Sequence, residues 1–461
     1  MFFGKQGTRE VHYDPWTTRI DMTHSDTWFP EVQQIPFEGP ESQNPLAFNH
    51  YNADEVVAGK TMRDHLRFAV CYWQAMRGTG ADPFGVGCRV MPWSVADDEM
   101  QAAHQTMDAM FEFVTKLGAP FWCFHDRDIA PEGATVEESE SNLREVVSYA
   151  KKKQDETGMK LLWGTANLFS HPRFMNGGGT NPDFDVFCYA AAQIKNALDA
   201  THALGGENYV FWGGREGYDI LFNTDMKREL KHFADLLKLA KAYADEIGFK
   251  GQFLIEPKPM EPSTHQYDFD TATVIAFLKE HDIDFVKINM EPNHATLALH
   301  TAAHELQVAA DAGLLGSIDA NRGNFQNGWD TDQFPTNIYD AVEMMLVVLK
   351  DGGFETGGLN FDAKPRRAST DLEDMFYGHI GGMDTFARAL IIASEMIEGG
   401  ELSDIVTKRY SSFDDGKGAE FEAGKLSLTD LRDIAASKAE EPAQTSGQRE
   451  LIEIIFNDYI L

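Results

Sequence analysis

A chain of 461 residues allows one large domain with appendages, or two to three ordinary ones. With 43% hydrophobic and 25% charged residues it is globular in composition and far from disorder. A formal net charge of −33 argues against nucleic acid or an anionic membrane as a partner; it is otherwise a matter of solubility or adaptation to salt and says nothing about catalysis.

Met1–Thr8 (MFFGKQGT) has no apolar core of signal-peptide length, and no run of about 18 apolar residues follows, so a cytoplasmic protein is expected. Residues 1–65 carry Trp, Pro and turn residues with little periodicity and read as an extension packed on the main domain. Strand-like runs then recur: LRFAVCYW (66–73), FWCFHD (121–126), KLLWGTANL (160–168), NYVFWG (208–213), GQFLIEPK (251–258), DFVKINME (284–291), LGSIDAN (315–321) and GGLNFDA (357–363). Each is apolar on both faces, as buried parallel strands are. Amphipathic segments such as Met226–Ile247, Asp270–His281 and Tyr339–Lys350 lie between them. This alternation predicts an α/β protein, a (β/α)8 TIM barrel over 66–390. An open doubly wound sheet would carry a glycine-rich phosphate turn; RGTGADPFG (77–85) and FWGGREGY (211–218) have the wrong pattern and read as tight loops. Residues 391–461 are helical in character and end in apolar LIEIIFNDYIL, an arm suited to subunit contacts or to folding back on its own barrel. Cys71, Cys88, Cys123 and Cys188 are far apart, without a C-x-x-C pair, and are expected as buried free thiols.

The strand-like runs end in polar groups, where a barrel gathers its active site. His125 and Asp128 follow the second, Glu256 and Lys258 the fifth, Glu291 and His294 the sixth. Asp319 ends the seventh, ahead of a Gly/Asn-rich loop that delivers Asp330 and Asp332, and Asp362 ends the eighth. Two unit charges about 4 Å apart repel by roughly 4 kcal/mol at an effective dielectric of about 20. Protonation can relieve one or two of six converging carboxylates; six call for cations, and two divalent ions bring four positive charges. Oxygen ligands suit Mg²⁺ or Mn²⁺, and His294 biases one site toward Mn²⁺ or Co²⁺ over calcium. Lys258, on the same side of its strand as Glu256, faces a substrate oxygen or neutralises excess acid. An imidazole fixed by a carboxylate, as His125 by Asp128, is an acid or base near neutral pH. Trp73, Phe84, Phe169 and Trp212 around the rim would make a flat, dry wall for a small sugar-like ligand.

The runs NPLAFNHYNADEVVAGK (44–60), FHDRD (124–128), TANLFSHPRF (165–174), VFWGGREGY (210–218), IEPKPMEPSTHQYD (255–268), NHATLALH (293–300), GSIDANRGN (316–324), NGWDTDQFP (327–335) and NFDAK (360–364) resemble the xylose isomerase family, in the form with a long N-terminal segment (class II). The resemblance implies a (β/α)8-barrel aldose–ketose isomerase, usually a homotetramer. It would interconvert D-xylose and D-xylulose, with D-glucose and D-fructose as a side reaction, by ring opening and a hydride shift. Two divalent cations per subunit are implied, Mg²⁺ or alternatively Mn²⁺ or Co²⁺. Glu256, Glu291, Asp319 and Asp362 would hold one; Glu291 as bridge, His294, Asp330 and Asp332 would hold the other. His125, oriented by Asp128, resembles the ring-opening group and Lys258 the donor to the carbonyl oxygen. Trp73 and Trp212 resemble the aromatic walls, Phe84 the ring lent by a neighbouring subunit, and Thr165 the threonine near the sugar's far end. Three positions depart from the family pattern: Pro292 stands between Glu291 and His294, and Gln74 and Asn324 replace a usual histidine and acid. The rival readings are an isomerase of another aldose such as rhamnose, a metal-dependent phosphodiester hydrolase, and a non-catalytic sugar- or metal-binding scaffold.

Overall fold

Eight short apolar runs form the centre of the molecule, which is a computed structural model describing residues 27–461. They are β1 (Ala69–Cys71), β2 (Phe121–His125), β3 (Lys160–Thr165), β4 (Asn208–Trp212), β5 (Gln252–Glu256), β6 (Val286–Met290), β7 (Leu315–Asp319) and β8 (Leu359–Phe361). Each pairs in parallel with its sequence neighbours and β8 closes on β1, a (β/α)8 barrel as expected. The strands are shorter than the apolar runs that announced them. The first run starts inside the helix Met62–Leu66 and ends in the helix Tyr72–Arg77, so three of its residues are strand.

Side chains two apart share a face, and this places the site. Ala69, Phe121, Cys123, Leu162, Trp163, Val210 and Leu254 pack together inside the barrel, with Trp73 against them. Two residues further along the same inward series stand His125 after Cys123, Trp212 after Val210, and Glu256 after Leu254. The alternate residues face the surrounding helices. Met226–Ile247 buries Phe233, Leu236, Leu237, Ala240 and Ala244 on one stripe, is capped by the Asp225 carboxylate on Arg228 N at 3.2 Å, and ends at Gly248 with φ 77°.

Residues 1–26 of the expected extension lie outside the described residues. Its remainder lies on the barrel: Asp384 accepts the backbone N–H groups of Asn49, His50 and Tyr51 at 2.8, 2.9 and 2.8 Å. The position 390/391, where an arm was expected to begin, lies inside the helix Glu373–Gly399. Beyond it, Glu401–Tyr410, Gly416–Glu422 and Leu428–Ala436 bury no residue, whereas Arg449–Ile460 returns to the barrel with Ile460 buried. All four cysteines are free, but burial holds for Cys71 and Cys123 alone; Cys88 is half-buried and Cys188 exposed on the helix Phe184–Ala203. No helix among the described residues is long and apolar enough to cross a membrane.

Candidate active site

The ends of β5 to β8 bring Glu256, Glu291, Asp319 and Asp362 together, and the loop after β7 adds Asp330 and Asp332. That loop comes back on itself through a two-residue bridge, Arg322 N to Gln333 O at 2.9 Å and Gln333 N to Arg322 O at 3.2 Å. Arg366 then grips the carbonyls of Thr331 and Asp332 at 2.6 and 2.7 Å, with Asp332 at φ 41°. Three sets of donor atoms lie within 4.8 Å of one another: Glu256, Glu291 and His294; Glu291, Asp319 and Asp362; Glu291, Asp330 and Asp332. Glu291 belongs to all three, so the sets form one continuous site with Glu291 at its centre. Pro292 occupies the first position of the helix Pro292–Leu297, where a backbone N–H has no partner within the helix, so the departure there leaves His294 properly seated.

Amide donors hold the acids, and the four asparagines among them are residues the sequence reading did not single out. Asn289 donates to Glu256 at 3.0 Å, Asn321 to Glu291 at 2.7 Å, Asn360 to Asp319 at 2.8 Å, and Asn293 to Asp330. Gln74 donates to both Asp332 and Asp362, at 2.9 and 3.0 Å. Two ammonium groups add charge: Lys258 Nζ sits 2.5 Å from Asp330 and Lys364 Nζ 2.8 Å from Asp332. Of the two roles open to Lys258, this arrangement shows the neutralising contact.

The balance is still short of positive charge. Burial, then the neighbouring carboxylates, drives Glu256, Glu291 and Asp362 well above the carboxylate range. Burial lifts Asp319 to about 6 and, with Asp330 beside it, Asp332 to about 7. Asp330 goes the other way: burial would raise it, but Lys258 and His294 hold it well below. Burial and Lys258 lower His294 to about 4, leaving a neutral imidazole whose Nε2 lies 3.2 Å from Glu291 and 3.4 Å from Asp330. Asp319 Oδ2 is buried without a hydrogen-bond partner. Oxygen donors, one neutral nitrogen and an orphaned carboxylate oxygen fit hard divalent cations.

The ends of β1 to β4 supply rings. Trp73 stacks on His125 with centroids 4.1 Å apart, and its Nε1 donates to Asp362 at 3.0 Å, tying the two halves. Phe169 meets His125 at 5.4 Å and Trp212 at 4.4 Å, both edge-on. His125 Nδ1 lies 2.7 Å from Asp128, which leaves Nε2 for other work. Lys258 Nζ stands 5.4 Å over the Trp212 ring. Phe84 stands apart from this group, whereas Thr165 lies opposite His125 in the register of β2 and β3. Phe84 is 84% exposed with its ring against Trp329 at 4.9 Å, and the Thr165 hydroxyl donates to the Val210 carbonyl. Arg215 and Glu216, read as part of a tight loop, brace the wall: Arg215 Nε donates to Phe169 O at 2.8 Å, and buried Glu216 accepts from Gly178, Gly179 and Thr180 N at 3.0, 2.9 and 2.8 Å.

Residues 151–357 match the family described as Xylose isomerase-like TIM barrel, and residues 406–460 that described as XylA2 C-terminal domain. The chain is 58% identical to Xylose isomerase 1 of Xanthomonas axonopodis pv. citri over 434 residues, 94% of this chain and 98% of that one. It is 59% identical to Xylose isomerase 2 of Xanthomonas campestris pv. campestris over 434 residues, covering 94% and 97%. With the Xylose isomerase of Bacteroides thetaiotaomicron it shares 58% over 433 residues, covering 94% and 99%.

Proposed function

The chain belongs to the xylose isomerase family, and from that premise we propose an aldose–ketose isomerase that interconverts D-xylose and D-xylulose, with D-glucose and D-fructose as a slower pair. The observation that carries the reading is Glu291, shared by three donor sets on one side of a mouth whose other side is aromatic. Glu256, Glu291, Asp319 and Asp362 would hold one divalent cation, and Glu291, His294, Asp330 and Asp332 a second, Mg²⁺ or alternatively Mn²⁺ or Co²⁺. When bound, the cations supply Lewis-acid stabilisation of negative charge growing on the sugar's oxygens.

The chain's own residues account for the other steps. His125, its Nδ1 held by Asp128, takes the proton of the anomeric hydroxyl at Nε2 and returns a proton to the ring oxygen, which opens the sugar. Lys258, between Asp330 and the face of Trp212, donates to the carbonyl oxygen of the open chain. Trp73, Phe169 and Trp212 exclude water, so the hydrogen on C2 moves with its electron pair to C1, and the proton of the C2 hydroxyl passes to O1, instead of the C2 hydrogen entering solvent as a proton. Phe84, exposed on its own subunit, completes the wall of a neighbour's mouth in a homotetramer, and Thr165 lies near the sugar's far end. We assign the chain to the class with a long N-terminal segment and to the cytoplasm, with a soluble sugar and neither nucleic acid nor membrane as its partner.

Turnover of xylose deuterated at C2 tests the mechanism: the label is expected at C1 of the xylulose. Washout into water at the turnover rate would overturn the hydride shift. A panel of pentoses and hexoses tests the substrate, and a preference for an aldose other than xylose would replace it.

A further inference from the structure

His300, His304 and Glu305 form a second cluster of metal-binding groups, outside the mouth and just past the helix that carries His294. The His300 N–H donates to Ala295 O at 2.9 Å, while His304 and Glu305 stand in the first turns of the helix Ala302–Asp311. Glu305 is buried; its Oε2 accepts from Thr271 N at 2.8 Å and its Oε1 meets His300 Nδ1 at 2.5 Å. A carboxylate on one ring nitrogen fixes the tautomer and the aim of the imidazole and leaves the other nitrogen as a lone-pair donor, the outer-sphere support of a ligating histidine.

The ring geometry makes the same point independently. His300 and His304 meet edge-on at 76° with centroids 4.9 Å apart. With metal–nitrogen bonds of about 2.0–2.1 Å, two imidazoles on one tetrahedral ion place their centroids about 5 Å apart. A donor atom from each of the three residues lies within 4.8 Å of the others. Imidazole nitrogen suits Zn²⁺, Ni²⁺ and Cu²⁺, whereas Mg²⁺ demands an octahedron of oxygens.

We propose that His300 and His304, oriented by Glu305, form a further cation site that takes Zn²⁺, Ni²⁺ or Cu²⁺ and is indifferent to Mg²⁺. The site is close to the mouth: Glu305 and Thr271 line a small cavity together with Glu291 and His294. His304 is exposed and outside the catalytic machinery, so His304→Ala removes a ligand without disturbing the core.

Equilibrium dialysis of the full chain against Ni²⁺ in excess Mg²⁺ provides the test. The unsubstituted protein is expected to retain one more Ni²⁺ per chain than His304→Ala, while both isomerise xylose equally with Mg²⁺. With Cu²⁺ as probe, electron paramagnetic resonance is expected to show an imidazole-coordinated signal in the unsubstituted protein that His304→Ala lacks. Equal Ni²⁺ retention by the two proteins, or loss of the extra ion when Mg²⁺ is raised, would overturn the proposal.

Discussion

The two halves of the barrel mouth are built from the same strand-end positions and held by opposite means. On the side of β5 to β8 the inward series end in carboxylates, each gripped by an amide, and burial still lifts most of them above the range where they ionise. On the side of β1 to β4 they end in rings that satisfy one another by stacking and edge contacts. The aromatic half needs no counter-charge, since the faces of its rings ask only to be kept from water. The acidic half is an unbalanced account of charge: five carboxyls raised and one lowered is the signature of a site formed around cations. Lys258 sits at the seam, paired to Asp330 on one side and over Trp212 on the other.

The largest effect is expected on the acidic half. Glu291→Gln removes the donor common to three sets, so both cation-binding events are expected to weaken together and isomerase activity to fall by at least about a thousandfold. Calorimetric titration with Mn²⁺ reads the first effect and a xylose assay the second. Normal binding of one cation in the variant would show two independent sites and break the view of Glu291 as their centre. Asp128→Asn perturbs the other half alone. It disturbs the tautomer of His125 and is expected to slow turnover of cyclic xylose by about a hundredfold while Mn²⁺ affinity holds. A parallel drop in Mn²⁺ affinity would mean that the halves are one electrostatic unit.

The fold and the acidic half were legible in the sequence for one reason. Buried parallel strands are apolar on both faces, so a charged residue at the end of each inward series stands out; Glu256 after Leu254, or His125 after Cys123, announces itself. Asn321 was missed because asparagine in a Gly/Asn-rich stretch reads as turn chemistry. A usable signal existed: Asn289 and Asn360 stand two residues before Glu291 and Asp362 inside otherwise apolar runs, hence on the same face. Glu216 carried no such signal, because the N–H groups it accepts lie 36 to 38 residues away in the chain. The role of Lys258 stayed open in the sequence because charge pairing depends on where the loop after β7 returns, and Asp330 lies 72 residues away.

The smallest expected effect is on stability, and its sign is specific. An aspartate ordinarily titrates at 3.8; burial holds Asp319 at about 6 and Asp332 at about 7, with Glu256, Glu291 and Asp362 higher still. Between the ordinary and the folded values the native state binds more protons than the unfolded chain, so these groups lose stability as pH rises. Buried His294 and His379, both lowered to about 4 from 6.5, act in the opposite sense, but their contribution is complete once pH passes 6.5. Asp330, held below its ordinary value, titrates far beneath this window. From about pH 6.5 to about 8 the carboxyls of the mouth act together with Asp268, which burial also raises well above its ordinary value, and the cation-free protein is expected to lose on the order of a few degrees in Tm. In saturating Mg²⁺ the cations replace the protons of the mouth and the slope is expected to shrink to the share of Asp268. Equal slopes with and without Mg²⁺ would mean that the acids of the mouth are balanced without cations, and the contrast between the two halves would fall.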